Sequence, residues 1–443
     1  MARTRSRNGQ LKSLIEASGV THDALARQVN RIGAEAGQNL TYDRSSVAHW
    51  LGGARPRGAV PSYIAEALSR CFHRAVALAD LGFGEDPLPV GTADTVEDVA
   101  EIGRAHVDRR QFTRSAAYSL AALSLPHWAE IDERGRLAAT SAGSRIGDSD
   151  VQAVTDMSDL FSLADDRYGG GHARAAVHAY IAADVTAFLR ADASEPVRRR
   201  MYAAAADLIY LAGFMAWDDE DHVLAQRCYL TAAKLATRAD DPLTYCHALR
   251  GLSIQALHLG HHHSALTLAE TAYDAGRSRS QPRTRAFLLG QIAAAAASDG
   301  DRHLALSQLT ETERQLERAL SGPTAFGSYH RAALDFQRGQ VLTSLGDLRG
   351  ADRAYTACLR HRPKEERRSR AMTLAPLAEA QLRQGHLDQA CTTWQSFLDD
   401  AELVRSARVR KAAQRAGELL RPHHSHPAAG AAIRRARDYV TTT

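Results

Sequence analysis

Lysine is almost missing from this 443-residue chain, which holds four lysines against 51 arginines; GC-biased coding explains such a ratio without reference to function. Cysteine is scarce as well. The five present, Cys71, Cys228, Cys246, Cys358 and Cys391, are scattered without CxxC spacing, which speaks against both a disulfide framework and a thiolate zinc site and leaves buried free thiols as the expectation. No apolar run reaches the roughly 18–20 residues of a membrane span, and the N-terminus has no apolar signal core. The expectation is a cytoplasmic protein with no membrane contact. GxSxG, HExxH, Walker and Rossmann patterns are all absent, so no enzyme, no catalytic residue and no cofactor are expected.

What is present is the composition of a globular protein, 44% hydrophobic and 24% charged, in a chain long enough for about three units. The most informative stretch is TYDRSSVAHWLGGARPR at 41–57. Val47, Trp50 and Leu51 recur at i, i+3 and i+4, which puts them on one helical face, with Ser45 and His49 opposite and Arg44 in the first turn. Gly52 and Gly53 can end this helix, and Arg55 and Arg57 follow where a chain leaving a DNA groove would pass phosphates. Upstream, LKSLIEASGVTHDALARQVN supplies two more helices: Leu11, Leu14 and Ile15 form one apolar face and Leu25, Ala26 and Val29 another, with Gly19 between them and Thr21 as a cap. Residues 1–57 hold nine Lys or Arg against four Asp or Glu, although the whole chain is only +4. The basic excess therefore sits at this end, as phosphate binding requires.

The segments SGVTHDALARQVN, YDRSSVAHWLGGARPRG, AEALSR and DLGF resemble the Cro/C1-type (XRE) helix-turn-helix family, most closely actinobacterial regulators with a long helical C-terminal part. The resemblance implies that the third helix reads base edges, assigning Arg44, Ser45, Ser46 and His49 to DNA contact. It also implies double-stranded DNA as a partner and a homodimer on two-fold related half-sites. One departure stands out: RIGAEAGQNLTY places about a dozen residues where the standard unit has a turn of roughly 3–4.

The C-terminal half repeats. WDDEDHVLAQRCY, LGHHHSALTLAE, SDGDRHLALSQL, SLGDLRGADRAY and RQGHLDQACTTW align on Ala225, Ala265, Ala305, Ala351 and Ala390. A glycine stands five places before the alanine in four copies, at Gly260, Gly300, Gly346 and Gly385, whereas the first copy has Glu220. Four residues past each alanine come Tyr229, Ala269, Leu309, Tyr355 and Trp394. A glycine turn joining two helices that a small alanine lets approach resembles a tetratricopeptide (TPR) array, whose concave face suits a peptide or partner helix.

Other constellations have plainer explanations. GGG at 169–171 lacks a preceding strand and a following Lys-Ser/Thr, so it reads as a turn between two helices rather than a phosphate loop. His258, His261, His262 and His263 have no carboxylate or thiolate at ligand spacing, so no metal is expected. The acidic run Asp218, Asp219, Glu220 and Asp221 at a repeat turn, and the basic clusters 360–370 and 405–415, read as solvated surface.

The sequence thus predicts an all-α protein: a helix-turn-helix domain over 1–90, a helical segment over 91–200, a solenoid of TPR-like repeats over 201–420 and a tail over 421–443. The function expected is a nucleoid-associated transcriptional regulator whose array senses a peptide, small molecule or protein effector. The alternative is an adaptor without DNA binding, acting through protein contacts.

Overall fold

The computed structural model describes residues 7–35, 38–72, 76, 78–83, 94–105, 118, 145–319 and 329–442. The basic opening segment through Ser6 and the EDPLPVG linker lie outside them. The described chain is all-α, with one isolated bridge, Arg145 to Asp192, as its sole β feature. No helix among the described residues is long and apolar enough to cross a membrane.

The N-terminal helices are α1 (Gly9–Ser18), α2 (His22–Glu35), α3 (Arg44–Leu51) and α4 (Val60–Phe72). The predicted apolar faces meet: Leu11, Ile15, Leu25, Val29, Val47, Trp50, Ile64 and Leu68 share one core. Trp50 is 4% exposed and takes the Tyr42 ring edge-on at 5.1 Å. The extra residues between the second and third helices divide in two. Part of them lengthens α2, and residues 38–42 lie outside any helix and are pinned by Asn30, whose amide donates to the Tyr42 carbonyl and accepts from the Tyr42 N–H at 2.8 Å each.

After α5 (Thr95–Arg104) the described chain resumes with α6 (Asp148–Tyr168) and α7 (Gly170–Tyr180), joined through Gly169 at φ +85°. The GGG segment is thus the interhelical turn that the sequence predicts. A π-helical turn over Ile181–Val185 then leads into α8 (Thr186–Arg190).

The array consists of antiparallel pairs: α9 (Glu195–Asp218) with α10 (His222–Ala239), α11 (Pro242–His258) with α12 (His262–Gly276), and α13 (Pro282–Asp299) with α14 (Arg302–Arg318). The pairs continue with α15 (Arg331–Ser344) and α16 (Leu348–His361), then α17 (Arg367–Arg383) and α18 (Leu387–Ala401). A sixth pair, α19 (Ala407–Leu420) and α20 (Pro427–Thr442), follows, so the stretch expected as a tail is a helix that packs on α18 and α19.

The repeat register is explained by packing. All five alanines are fully buried, and Tyr229, Ala269, Leu309, Tyr355 and Trp394 one turn later are at most 6% exposed. The two tyrosines at these positions each face a glycine: a Cβ on Gly251 would lie 2.7 Å from the Tyr229 ring, and one on Gly339 of α15 would lie 2.4 Å from the Tyr355 ring. At the turns, Gly260, Gly300, Gly346 and Gly385 adopt φ between +81° and +94°, the left-handed conformation that lets the next N–H reach back to the sixth carbonyl and close the helix end. His261 donates in this way to the Ala256 carbonyl, and Asp347 to that of Leu342, at 2.9 Å.

The array curls until its late helices meet its early ones. Arg405 donates its N–H to the Tyr168 carbonyl at 2.8 Å and accepts from Gly171 at 3.0 Å, and α17 packs against α6. Gly169 is needed for this approach, since a Cβ there would stand 2.5 Å from the Arg405 carbonyl oxygen.

Candidate ligand cavity and candidate nucleic-acid interface

This closure encloses a cavity of about 380 Å³ lined by the first helix of each of the first five pairs, with α6, Tyr329, Arg362 and α19 completing the wall. Its size lies toward the low end of small-ligand sites, which run from about 300 to 1,000 Å³. Aromatic rings supply much of the wall: Tyr210, Phe214, Trp217, Phe287, Tyr329 and Phe336.

Four arginines face them. The Arg250 guanidinium lies 3.6 Å from the Phe287 ring centre and Arg408 lies 3.6 Å from that of Trp217, while Arg368 stands 4.7 Å over Phe214. Arg362 is the fourth. Cations stacked on aromatic faces in a desolvated site gain about 2 kcal/mol each. Three of the four come from the basic clusters read in the sequence as solvated surface. That reading is corrected here, because closure of the array turns Arg362, Arg368 and Arg408 inward.

The arginines differ in how their charge is balanced. Arg368 donates to Asp165 at 2.8 Å and Asp166 at 3.1 Å and stands 3.7 Å from Asp218. Burial works against its charge, but these three acids outweigh burial and hold it protonated. In turn, burial together with Asp218 and Asp166 raises the Asp165 carboxyl above the usual range against the pull of Arg368. Burial lowers Arg408 to about 10, and Asp218 at 3.8 Å opposes that shift. Arg250 is set apart. Its Nε donates to the Phe287 carbonyl at 3.2 Å, burial lowers its pKa, and the opposing groups are Tyr210, Tyr329 and Tyr229, with no carboxylate among them. Beside it burial lowers His247 to about 4, with Arg250 adding to the shift, so this imidazole is neutral at pH 7.

Hydrogen bonding points the same way. Among the lining side chains, Trp217 Nε1 and the Nε atoms of Arg362, Arg368 and Arg408 are buried without a partner, against a single unpartnered acceptor, Asp165 Oδ1. Buried donors left unmet cost free energy.

The acidic turn after α9 is also not solvated surface. Asp218 is fully buried, accepts from the Gly170 N–H at 3.2 Å and stands between Arg368 and Arg408. Asp219 pairs with Arg174 at 2.9 Å. Asp221 caps α10 by accepting from Leu224 at 3.3 Å.

In the N-terminal helices, Arg44, Ser45 and His49 are exposed along α3, and Arg55 and Arg57 are exposed just after it. Ser46 is half-buried. The two serine hydroxyls already have a partner, because each donates to Asp43 Oδ1, at 2.7 Å from Ser45 and 2.9 Å from Ser46. Those bonds, Ser45 first, hold the Asp43 carboxyl at about 2. Arg44 and His49 are exposed on α3, whose buried residues are Val47 and Trp50.

A family model described as the SP15 N-terminal domain matches residues 11–84. No curated protein matches the chain. Among solved structures, the Rap protein complexed with competence and sporulation factor is 14% identical, with 79% of this chain and 85% of that chain covered at a TM-score of 0.42. The APC/C hetero-tetramer Cut9–Hcn1 is likewise 14% identical, with 96% of this chain and 73% of that chain covered at a TM-score of 0.34.

Proposed function

We propose that the chain is a helical-repeat receptor that takes a small anionic molecule, or a peptide of a few residues with an acidic group, into the cavity of its array. The observation that carries this reading is the set of four arginines, Arg250, Arg362, Arg368 and Arg408, on the wall of a cavity otherwise rich in aromatic rings, two of them stacked 3.6 Å over those rings. An array of stacked helix pairs supports the reading of an interaction protein.

The test uses 8-anilinonaphthalene-1-sulfonate, an anion on an aromatic body, titrated into the full chain while Trp217 emission and dye emission are followed. One saturable site, emptied by short acidic peptides and lost in Arg250→Met, supports the reading. Equal binding by wild type and Arg250→Met would sink it.

The finer form of this proposal adds transcriptional control. The N-terminal helices, taken as a module over 1–90, would bind double-stranded DNA as a homodimer in the cytoplasm, at the nucleoid, and respond to the array. Residues 91–200 would serve as a helical connection and 201–420 as the sensor. What favours this form is the exposed Arg44, His49, Arg55 and Arg57 on and after one short helix, together with the basic excess of that end and the resemblance to Cro/C1-type domains. Binding to genomic fragments that weakens steeply with salt, and falls by about 1–3 kcal/mol at the specific site in Arg44→Ala, is the expected result. Salt-insensitive or absent DNA binding leaves the adaptor form, in which the N-terminal helices contact protein.

A further inference from the structure

One turn of the array breaks its own rule. Where the turns of the next four pairs carry glycine with φ between +81° and +94°, and the sixth pair is joined through a 3-10 turn at Arg421–His423, the turn between α9 and α10 carries Glu220 at φ +60°. A side chain in this left-handed region is strained, and glycine is the residue that fits. Strain kept in this way marks positions where the side chain has a task of its own.

The Glu220 carboxylate is a meeting point for two imidazoles. Oε1 is 3.0 Å from His258 Nε2, at the end of α11, and Oε2 is 3.7 Å from His222 Nε2, at the start of α10. The three residues each offer a donor atom, and these atoms all lie within 4.8 Å of one another. A tetrahedral zinc ion with bonds of about 2.0–2.2 Å holds its donors about 3.4 Å apart, so a small contraction of this cluster suffices.

We propose that Glu220, His222 and His258 form a binding site for a divalent cation of the zinc class, and that Lys411 is the counter-charge such a cation displaces. Lys411 Nζ lies 2.7 Å from Glu220 Oε2 and its side chain is 63% exposed, so it neutralises the carboxylate in the metal-free protein and has solvent to swing into. Two imidazoles and a carboxylate are the donor set that suits zinc and its neighbours rather than magnesium or calcium. Three protein donors leave a coordination position for water or for another ligand. Because His258 also lines the cavity, the cation stands at its rim. The inference does not depend on what the cavity binds.

The test is calorimetric titration of Zn²⁺ into the chelator-treated full chain, with thermal melts run with and without one equivalent of the metal. One equivalent should bind and raise the melting temperature. Glu220→Gly restores the residue of the next four turns; it should melt no lower than wild type without metal and lose the zinc-induced rise, with affinity at least 100-fold weaker. Lys411→Gln should bind several-fold more tightly. The chain has 20 histidines, several of them adjacent, so zinc binding that survives unchanged in Glu220→Gln, His222→Gln and His258→Gln belongs elsewhere and overturns the proposal. Absence of binding to the wild type does so too.

Discussion

Arg250 and Arg368 line one cavity, yet replacing each by methionine should have unequal consequences for stability. Arg250→Met removes a cation stacked 3.6 Å over Phe287, worth about 2 kcal/mol, and hydrogen bonds to the Phe287 carbonyl and to Tyr210, worth about 1.5–3 kcal/mol each. It also removes the cost of keeping an ion out of water, several kcal/mol, which no carboxylate offsets here. These contributions nearly cancel, and methionine fills much of the vacated volume. Unfolding free energy should change by less than about 2 kcal/mol. Arg368→Met instead strands Asp165, Asp166 and Asp218, all within 3.7 Å of its guanidinium; breaking a buried pair from one side costs about 3–5 kcal/mol. Urea denaturation at pH 7, followed by far-ultraviolet circular dichroism, reads the difference. In the same samples Arg250→Met should bind the anionic dye roughly 10–150-fold more weakly, the equivalent of one charge-assisted hydrogen bond of about 1.5–3 kcal/mol. If Arg250→Met is as damaged as Arg368→Met, Arg250 is a structural cation, and the argument that its charge awaits a ligand fails.

Three further outcomes follow from packing and charge. Ala265, Ala305 and Ala351 are fully buried at helix crossings, so leucine at any of them should overpack its pair by about 1–3 kcal/mol, with faster hydrogen exchange confined to the neighbouring repeats; thermal melts unchanged at all three would refute the register. Trp50→Ala should cost about 3–5 kcal/mol in the N-terminal core and accelerate exchange in α1–α4 while the array keeps its protection, and an ordinary exchange pattern in α1–α4 would show that Trp50 is no anchor. Burial, with Asp241 and Asp159 nearby, raises Asp207 to about 7 even though the Thr244 hydroxyl donates to it. Since the folded pKa lies above the unfolded one, this group's contribution is fully present below about pH 4 and lost as pH rises through 7. Asp207→Asn, which keeps the neutral form, should therefore melt higher than wild type at pH 8 and lose that advantage at pH 5; an equal difference at both pH values would count against it.

How far the sequence speaks depends on the range of the interaction. Periodicity within a helix and glycine at a helix end are local, and the helices of the array, the buried alanines at 225, 265, 305, 351 and 390 and the apolar faces of α1–α3 are all legible from spacing alone. Closure of the array is not local. It depends on backbone contacts such as Arg405 with Tyr168 and Gly171, more than 200 positions apart in the chain, and nothing in the spacing of RSARVRKAAQR says that Arg408 will lie over Trp217. Without closure, clusters at 360–370 and 405–415 are what solvated surface looks like, and so is the acidic run at 218–221. One signal was available: the first repeat alone puts glutamate where the other four put glycine. In a repeat array the shared residues report packing that every unit needs, so a residue that departs from the shared pattern at a conformationally costly position is free of that common demand. The two histidines and the lysine around Glu220 are what such a departure predicts, because a strained side chain persists only where its own contacts outweigh the strain.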